Sequence, residues 1–176
     1  VGSEMCIRDR LYEESMFDGQ KVSKSRIITS VDYSMVSMEA FEIYAANHDI
    51  HVMDFVLKLD AYSYYMMNLL DYLTGNTDRH WGNWGFLVDN RTNQPVRLFD
   101  LMDLNQTFLA YDTPDGANCM TTGNRKMSQR EAAVEAVKNI GLNQKDEIKD
   151  EWFKGREKER EMFWCRFGIL KEQWKA

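Results

Sequence analysis

Cysteine, proline and long apolar runs are all scarce in this sequence. Its three cysteines include no Cys-x-x-Cys pair, which argues against a zinc site or a disulfide framework and for a reducing compartment. No apolar run approaches the roughly 18 residues that a spanning helix needs, so no membrane segment is expected. No Lys/Arg-rich tract stands out. The balance is acidic, 28 Asp+Glu against 22 Lys+Arg, which argues against direct contact with nucleic acid. These absences predict a soluble, cytoplasmic protein. What the chain has in quantity is apolar and aromatic: 44% hydrophobic residues, with nine Phe, eight Tyr and five Trp, enough for one domain with a packed core.

Residues 1–10, VGSEMCIRDR, show neither helical nor strand periodicity and resemble a translated sequencing adapter ending in a transposase mosaic end. They are expected to be a scar rather than native sequence. On that expectation residues 11–176 form one partial domain, a fragment cut at an arbitrary upstream point, and its cysteines are Cys119 and Cys165.

Residues 11–33 yield no firm element. Ser37 is placed to cap a helix over MEAFEIYAANHD, with Glu39 and Glu42 in its early turns, and HVMDFVLKL reads as a second short helix. The strongest periodic signal begins at Asp60, a good N-cap. From there Tyr62, Tyr65, Met66, Leu69, Leu70 and Leu73 form a continuous apolar stripe. This helix runs straight into TGNTDRH. WGFLVDN and VRLF then read as two strands joined by NRTNQP, a β-hairpin, and TPDG is a further turn. Ser128 and Glu131 form a capping box, and Gly141 is a helix stop. A last helix ends the chain, with Phe163, Phe167, Leu170 and Trp174 as its core stripe. The predicted fold class is mainly α with a small β-hairpin.

Chemistry concentrates in TGNTDRHWGNWGFL and the VRLFDLMD that follows it. Phosphoryl transfer asks for a carboxylate to orient or deprotonate the attacking hydroxyl and for hard oxygen ligands to Mg²⁺. Asp78 with Asn83 five residues later is one spacing by which a loop supplies both. An antiparallel return then brings Asp100, at the end of the second strand, close to Asn83, and Asp103 is an alternative three residues on. Singly, each of these residues is equally at home capping a helix or satisfying turn backbone. His80 either supports a transferring phosphoryl group, contacts the Asp100 backbone, or is a satisfied loop residue. Arg79 either offsets the carboxylates or faces solvent. Asn76 and Thr77 are expected to fix the loop through side-chain-to-backbone hydrogen bonds, and Trp81 and Trp84 to pack.

GNTDRHWGNWGFL followed by RLFD resembles the C-terminal lobe of HipA-like Ser/Thr kinases: a helix, an Asp-x-His-x-x-Asn loop, a hairpin, and a Phe-Asp where conventional kinases carry Asp-Phe-Gly. LNQTFLAYDT also resembles the segment that follows in bacterial members. The resemblance covers roughly residues 30–125. It implies a kinase C-lobe whose N-lobe is missing, with Asp78 as the catalytic Asp, His80 in support, and Asn83 and Asp100 as Mg²⁺ and nucleotide-binding residues. It further implies ATP and Mg²⁺ as cofactors, a protein Ser/Thr hydroxyl as acceptor, and a DNA-binding, antitoxin-like partner. The phosphate-covering loop and nucleotide Lys of a kinase are not in this sequence, so the chain alone is expected to be inactive or nearly so. Two alternatives stand beside this reading: a non-catalytic binding or regulatory module on the same fold, and a phosphoinositide-type lipid kinase, which also carries Asp-Arg-His-x-x-Asn.

Overall fold

The computed structural model describes residues 12–109, 111–142 and 148–175. Within them the chain is mixed α/β, with four α-helices and two small antiparallel sheets. The helices and the hairpin expected from the sequence are present, and three further strands, two in the unassigned N-terminal region and one over Tyr33–Ser37, make the fold mixed α/β rather than mainly α. Strands β1 (Tyr12–Phe17) and β2 (Gln20–Ser25) form a hairpin turned by Asp18 and Gly19, both at positive φ. Asp-Gly between two short runs is a strong hairpin signal, but its flanks lack the alternating apolar face that usually accompanies it. This hairpin makes no substantial contact with any other described element.

The second sheet has the order β3-β4-β5, with β3 (Tyr33–Ser37), β4 (Gly85–Asp89) and β5 (Gln94–Leu98). The β4–β5 pair is the hairpin expected from the sequence, with Phe86 opposite Leu98 and a register shift between Leu87 and Val88. β3 adds to its free side, Ser37 opposite Gly85. That approach requires glycine, since a Cβ at position 85 would stand 2.1 Å from the Val36 carbonyl oxygen.

Ser37 ends β3 and caps α1 (Met38–Ala46), its hydroxyl accepting from the Ala40 N–H. The α1 N–H groups of Met38 and Glu39 donate to the carbonyls of Trp84 and Trp81, so this helix start is closed by the polar segment itself. Helix α2 (Val52–Thr74) unites the two helices expected on either side of Asp60, where the backbone leaves helical geometry. Asp60 is the N-cap foreseen: one carboxylate oxygen accepts from Ser63 N–H at 3.2 Å. The other accepts from Leu98 N–H at 3.1 Å, which fastens the helix to the end of β5.

The predicted stripe on α2 is buried at Tyr65, Leu69 and Leu73 and only partly buried at Tyr62, Met66 and Leu70, while the more deeply buried Tyr64, Met67 and Tyr72 lie off it. A helix covered by β5 on one side and by α3 (Gln129–Ile140) and α4 (Glu157–Lys175) on others needs apolar residues around most of its circumference. The capping box at Ser128 and the Gly141 stop of α3 form as expected. In α4, which a 3₁₀ turn at Asp150–Phe153 precedes, Phe163, Phe167 and Leu170 are buried, whereas Trp174 is half-exposed. The last element, expected from about residue 145, becomes an α-helix only at Glu157; residues 143–147 lie outside the described residues.

Arg166 of α4 is fully buried. Its guanidinium donates to the carbonyls of Tyr72 and Thr113 and lies over the rings of Tyr72 and Tyr111. A cation among the last carbonyls of a helix is favoured by the helix dipole, so Arg166 stabilises the end of α2 from which the polar loop departs. Among the described residues, no helix is long and apolar enough to cross a membrane.

Candidate active site

Helix α2 ends in a left-handed turn at Gly75, a position where a Cβ would also collide with the Tyr111 ring. The chain then doubles back, Asn76 N–H returning to the Asp71 carbonyl at 2.9 Å. Asn76 is fully buried. Its amide nitrogen donates to Asp71 Oδ1, its amide oxygen accepts from Asp78 N–H, and its carbonyl accepts from the Gln129 side chain. The expected side-chain-to-backbone bond is thus present for Asn76. Among the described residues Thr77 makes none, and it lines a polar cavity of about 10 Å³ behind the loop, room for one water.

Arg79 neither faces solvent nor touches the candidate catalytic carboxylates. Its side chain is 3% exposed and pairs with that of Asp71, which is 5% exposed. Nε donates to Asp71 Oδ2 at 2.8 Å and Nη2 to Oδ1 at 3.0 Å. Nη1 donates to the carbonyls of Asn83, at 2.9 Å, and Met102, at 2.5 Å. Asp71 escaped the sequence reading, although a carboxylate between Leu70 and Tyr72, one turn before a helix stop, is itself a signal of a buried pair.

The opposite face of the loop is open. The Asp78 side chain is 39% exposed and that of His80 is 47% exposed. The Asn83 amide nitrogen donates to the Asp78 carbonyl at 2.8 Å, which orients the amide and leaves its oxygen without a protein partner among the described residues. His80 Nδ1 accepts from Gly82 N–H, so a neutral ring carries its proton on Nε2, 3.9 Å from Asp78 Oδ1. Among the described residues His80 does not reach the Asp100 backbone; its polar contacts are with Gly82 and Asp78. Trp84 is buried and meets Trp81 edge to face, and Trp81 donates its indole N–H to the Met120 carbonyl, so both tryptophans pack as expected.

The hairpin brings the second carboxylate segment to this loop. Phe99 N–H donates to the Gly85 carbonyl at 2.8 Å, so Asp100 emerges beside the stretch that Asn83 begins. Asp100 is not free: Arg97 Nη1 donates to its Oδ1 at 2.5 Å, with both side chains largely buried. Asp103, three residues on, stands at φ 53°, a left-handed conformation that costs a non-glycine residue energy and recurs at functional sites. Its side chain has no hydrogen-bond or ion-pair partner among the described residues.

The two segments that meet here carry hard oxygen donors: Asn83 Oδ1 and the half-exposed carboxylate of Asp78 on the loop, and the carboxylates of Asp100 and Asp103 beyond β5. Among the described residues no three His, Cys, Asp or Glu side chains gather to hold a metal unaided. Mg²⁺ at phosphoryl-transfer sites typically takes one or two protein carboxylates and completes its shell with phosphate and water, so an amide and a carboxylate fit it in kind. Cys119, nearby in the core, is no candidate nucleophile, because burial pushes its thiol pKa up. Compared with protein-family models, curated proteins and solved structures, the chain gives no significant match.

Proposed function

We propose that this chain is the C-lobe of an ATP- and Mg²⁺-dependent kinase of the HipA-like type, one that transfers a phosphoryl group to a protein Ser or Thr hydroxyl. The observation that carries the reading is the meeting of two segments on Arg79: the loop with Asp78 and Asn83, and the stretch with Asp100 and Asp103. Between them the two segments carry an amide and carboxylates, the residue types that phosphoryl transfer uses. Asp78 would orient the acceptor hydroxyl and take its proton as that oxygen bonds to the γ-phosphorus and the bond from this phosphorus to the bridging oxygen breaks, with ADP leaving. Asn83 and a carboxylate of the 100–103 segment would hold Mg²⁺, which would offset the developing charge, and ATP would supply the phosphoryl group. The reading also requires a phosphate-covering loop and a Lys from outside this chain.

One observation favours a non-catalytic module instead: Arg97 occupies the carboxylate of Asp100. The deciding experiment expresses the intact gene and follows labelled phosphate from ATP into protein. Asp78→Asn is expected to lower transfer by about 10²-fold or more. Arg97→Ala is expected to leave transfer intact or to lower the Mg²⁺ requirement. Equal transfer by the wild type and Asp78→Asn would sink the kinase reading, and no transfer by any form would favour the module.

A further inference from the structure

Arg79 carries five N–H donors in a rigid fork, and the structure commits four of them. One edge of the fork meets Asp71, on the last turns of α2. Nη1, with two hydrogens, meets two carbonyls that belong to different segments, Asn83 of the loop and Met102 beyond β5. The two carbonyls are 19 residues apart in the chain and converge on one nitrogen atom. Asp71 in turn holds Asn76 through its Oδ1, so the start of the loop, its end and the second segment all refer to the same buried ion pair.

Stability alone does not account for such a device. A buried ion pair contributes little net stability compared with apolar residues of the same shape, because two charges must leave water. What the fork adds is geometry: planar donors at fixed angles set the separation of the groups that accept from them. We infer that Arg79 is a positioning residue, whose guanidinium sets the distance between the limb bearing Asp78 and Asn83 and the limb bearing Asp100 and Asp103. Lysine cannot replace it. A single ammonium can stay paired with Asp71, but it has no second nitrogen to reach the two carbonyls. The metal arm of the test below rests on the kinase reading; the exchange arm does not.

The experiment compares wild type, Arg79→Lys and Asn83→Ala by hydrogen exchange, with Mn²⁺ binding followed by electron paramagnetic resonance. Arg79→Lys keeps the charge that Asp71 needs and is expected to stay folded. Losing a hydrogen bond to a charged group raises local opening about tenfold, so amide exchange in 82–85 and 102–105 should rise together by that factor while α3 stays unchanged. Mn²⁺ affinity should fall about as far. Asn83→Ala should weaken Mn²⁺ without changing exchange at 102–105. Faster exchange in only one limb, in neither, or throughout α2 and α3 alike would overturn the inference and leave Arg79 an ordinary structural ion pair. If wild type takes up no Mn²⁺, the proposed metal site fails, and the exchange pattern still decides the role of Arg79. Should Arg79→Lys fail to fold, the neutral pair Asp71→Asn with Arg79→Gln carries the same exchange comparison.

Discussion

The two faces of the Asn76–Asn83 loop are built on opposite principles. Inward, Asn76 and Arg79 are buried and their polar groups are directed to Asp71, Gln129, Asn83 and Met102. Outward, Asp78 and His80 are close to half-exposed, and the Asn83 amide oxygen accepts nothing among the described residues. One face is heavily constrained and the other is left with unused valence. That division is how a loop becomes a site: rigidity is supplied from behind, so that the groups in front need not bond to one another to hold their places.

The sharpest way to break the comparison is to remove the inward anchor. Asp71→Leu leaves the Arg79 guanidinium buried without its carboxylate and is expected to cost about 3–5 kcal/mol, read from the urea midpoint. A loss below about 1 kcal/mol would mean that water reaches Arg79 and that the inward face is less closed than described.

A smaller effect comes from pH. Burial pushes the Tyr72 phenol up to about 12, with Arg166 pulling the other way. An unfolded tyrosine ionises near 10. Because the folded value is the higher one, this contribution is fully present below about pH 10 and is lost as pH rises through about 12. The urea midpoint should therefore fall on going from about pH 9 to pH 11, and Tyr72→Phe should flatten that slope. An unchanged slope would show that Tyr72 is hydrated, or that Tyr111, also raised by burial, dominates the alkaline loss.

The smallest effects are expected on the outward face. Asp78→Asn and Asn83→Ala should each leave stability within about 0.5 kcal/mol of wild type, since neither side chain anchors buried structure apart from one bond within the loop. A large destabilisation by either change would erase the distinction between the faces and recast these residues as scaffold.

Much of the local structure was legible in the sequence. Ser37, Asp60 and Ser128 were readable as caps because a cap is a bond between a side chain and backbone three residues away. The β4–β5 hairpin was readable from its two apolar runs and the polar turn between them. β3 was not, because its pairing partner lies some 50 residues downstream and no local pattern announces it. The spacing of Asp78 and Asn83, and the return of the chain that brings Asp100 toward them, were legible. Arg79 was left undecided, and Asp71 was missed, because burial of a charged side chain depends on what covers it. The Arg97–Asp100 pair was missed for a different reason: a short i,i+3 contact at a strand end depends on rotamers that spacing does not specify.

The amino-acid order by itself determined where helices begin, where the hairpin turns, and that one polar segment gathers Asp78, Arg79, His80 and Asn83. These are short-range matters of hydrogen bonding and periodicity. Tertiary structure alone decided which side of that segment is anchor and which is open, because the choice was made by distant partners: Met102 beyond β5, Gln129 on α3 and Arg166 on α4. A buried charge is tolerated only where partners from separate parts of the chain converge on it, and that convergence is a property of the packed molecule.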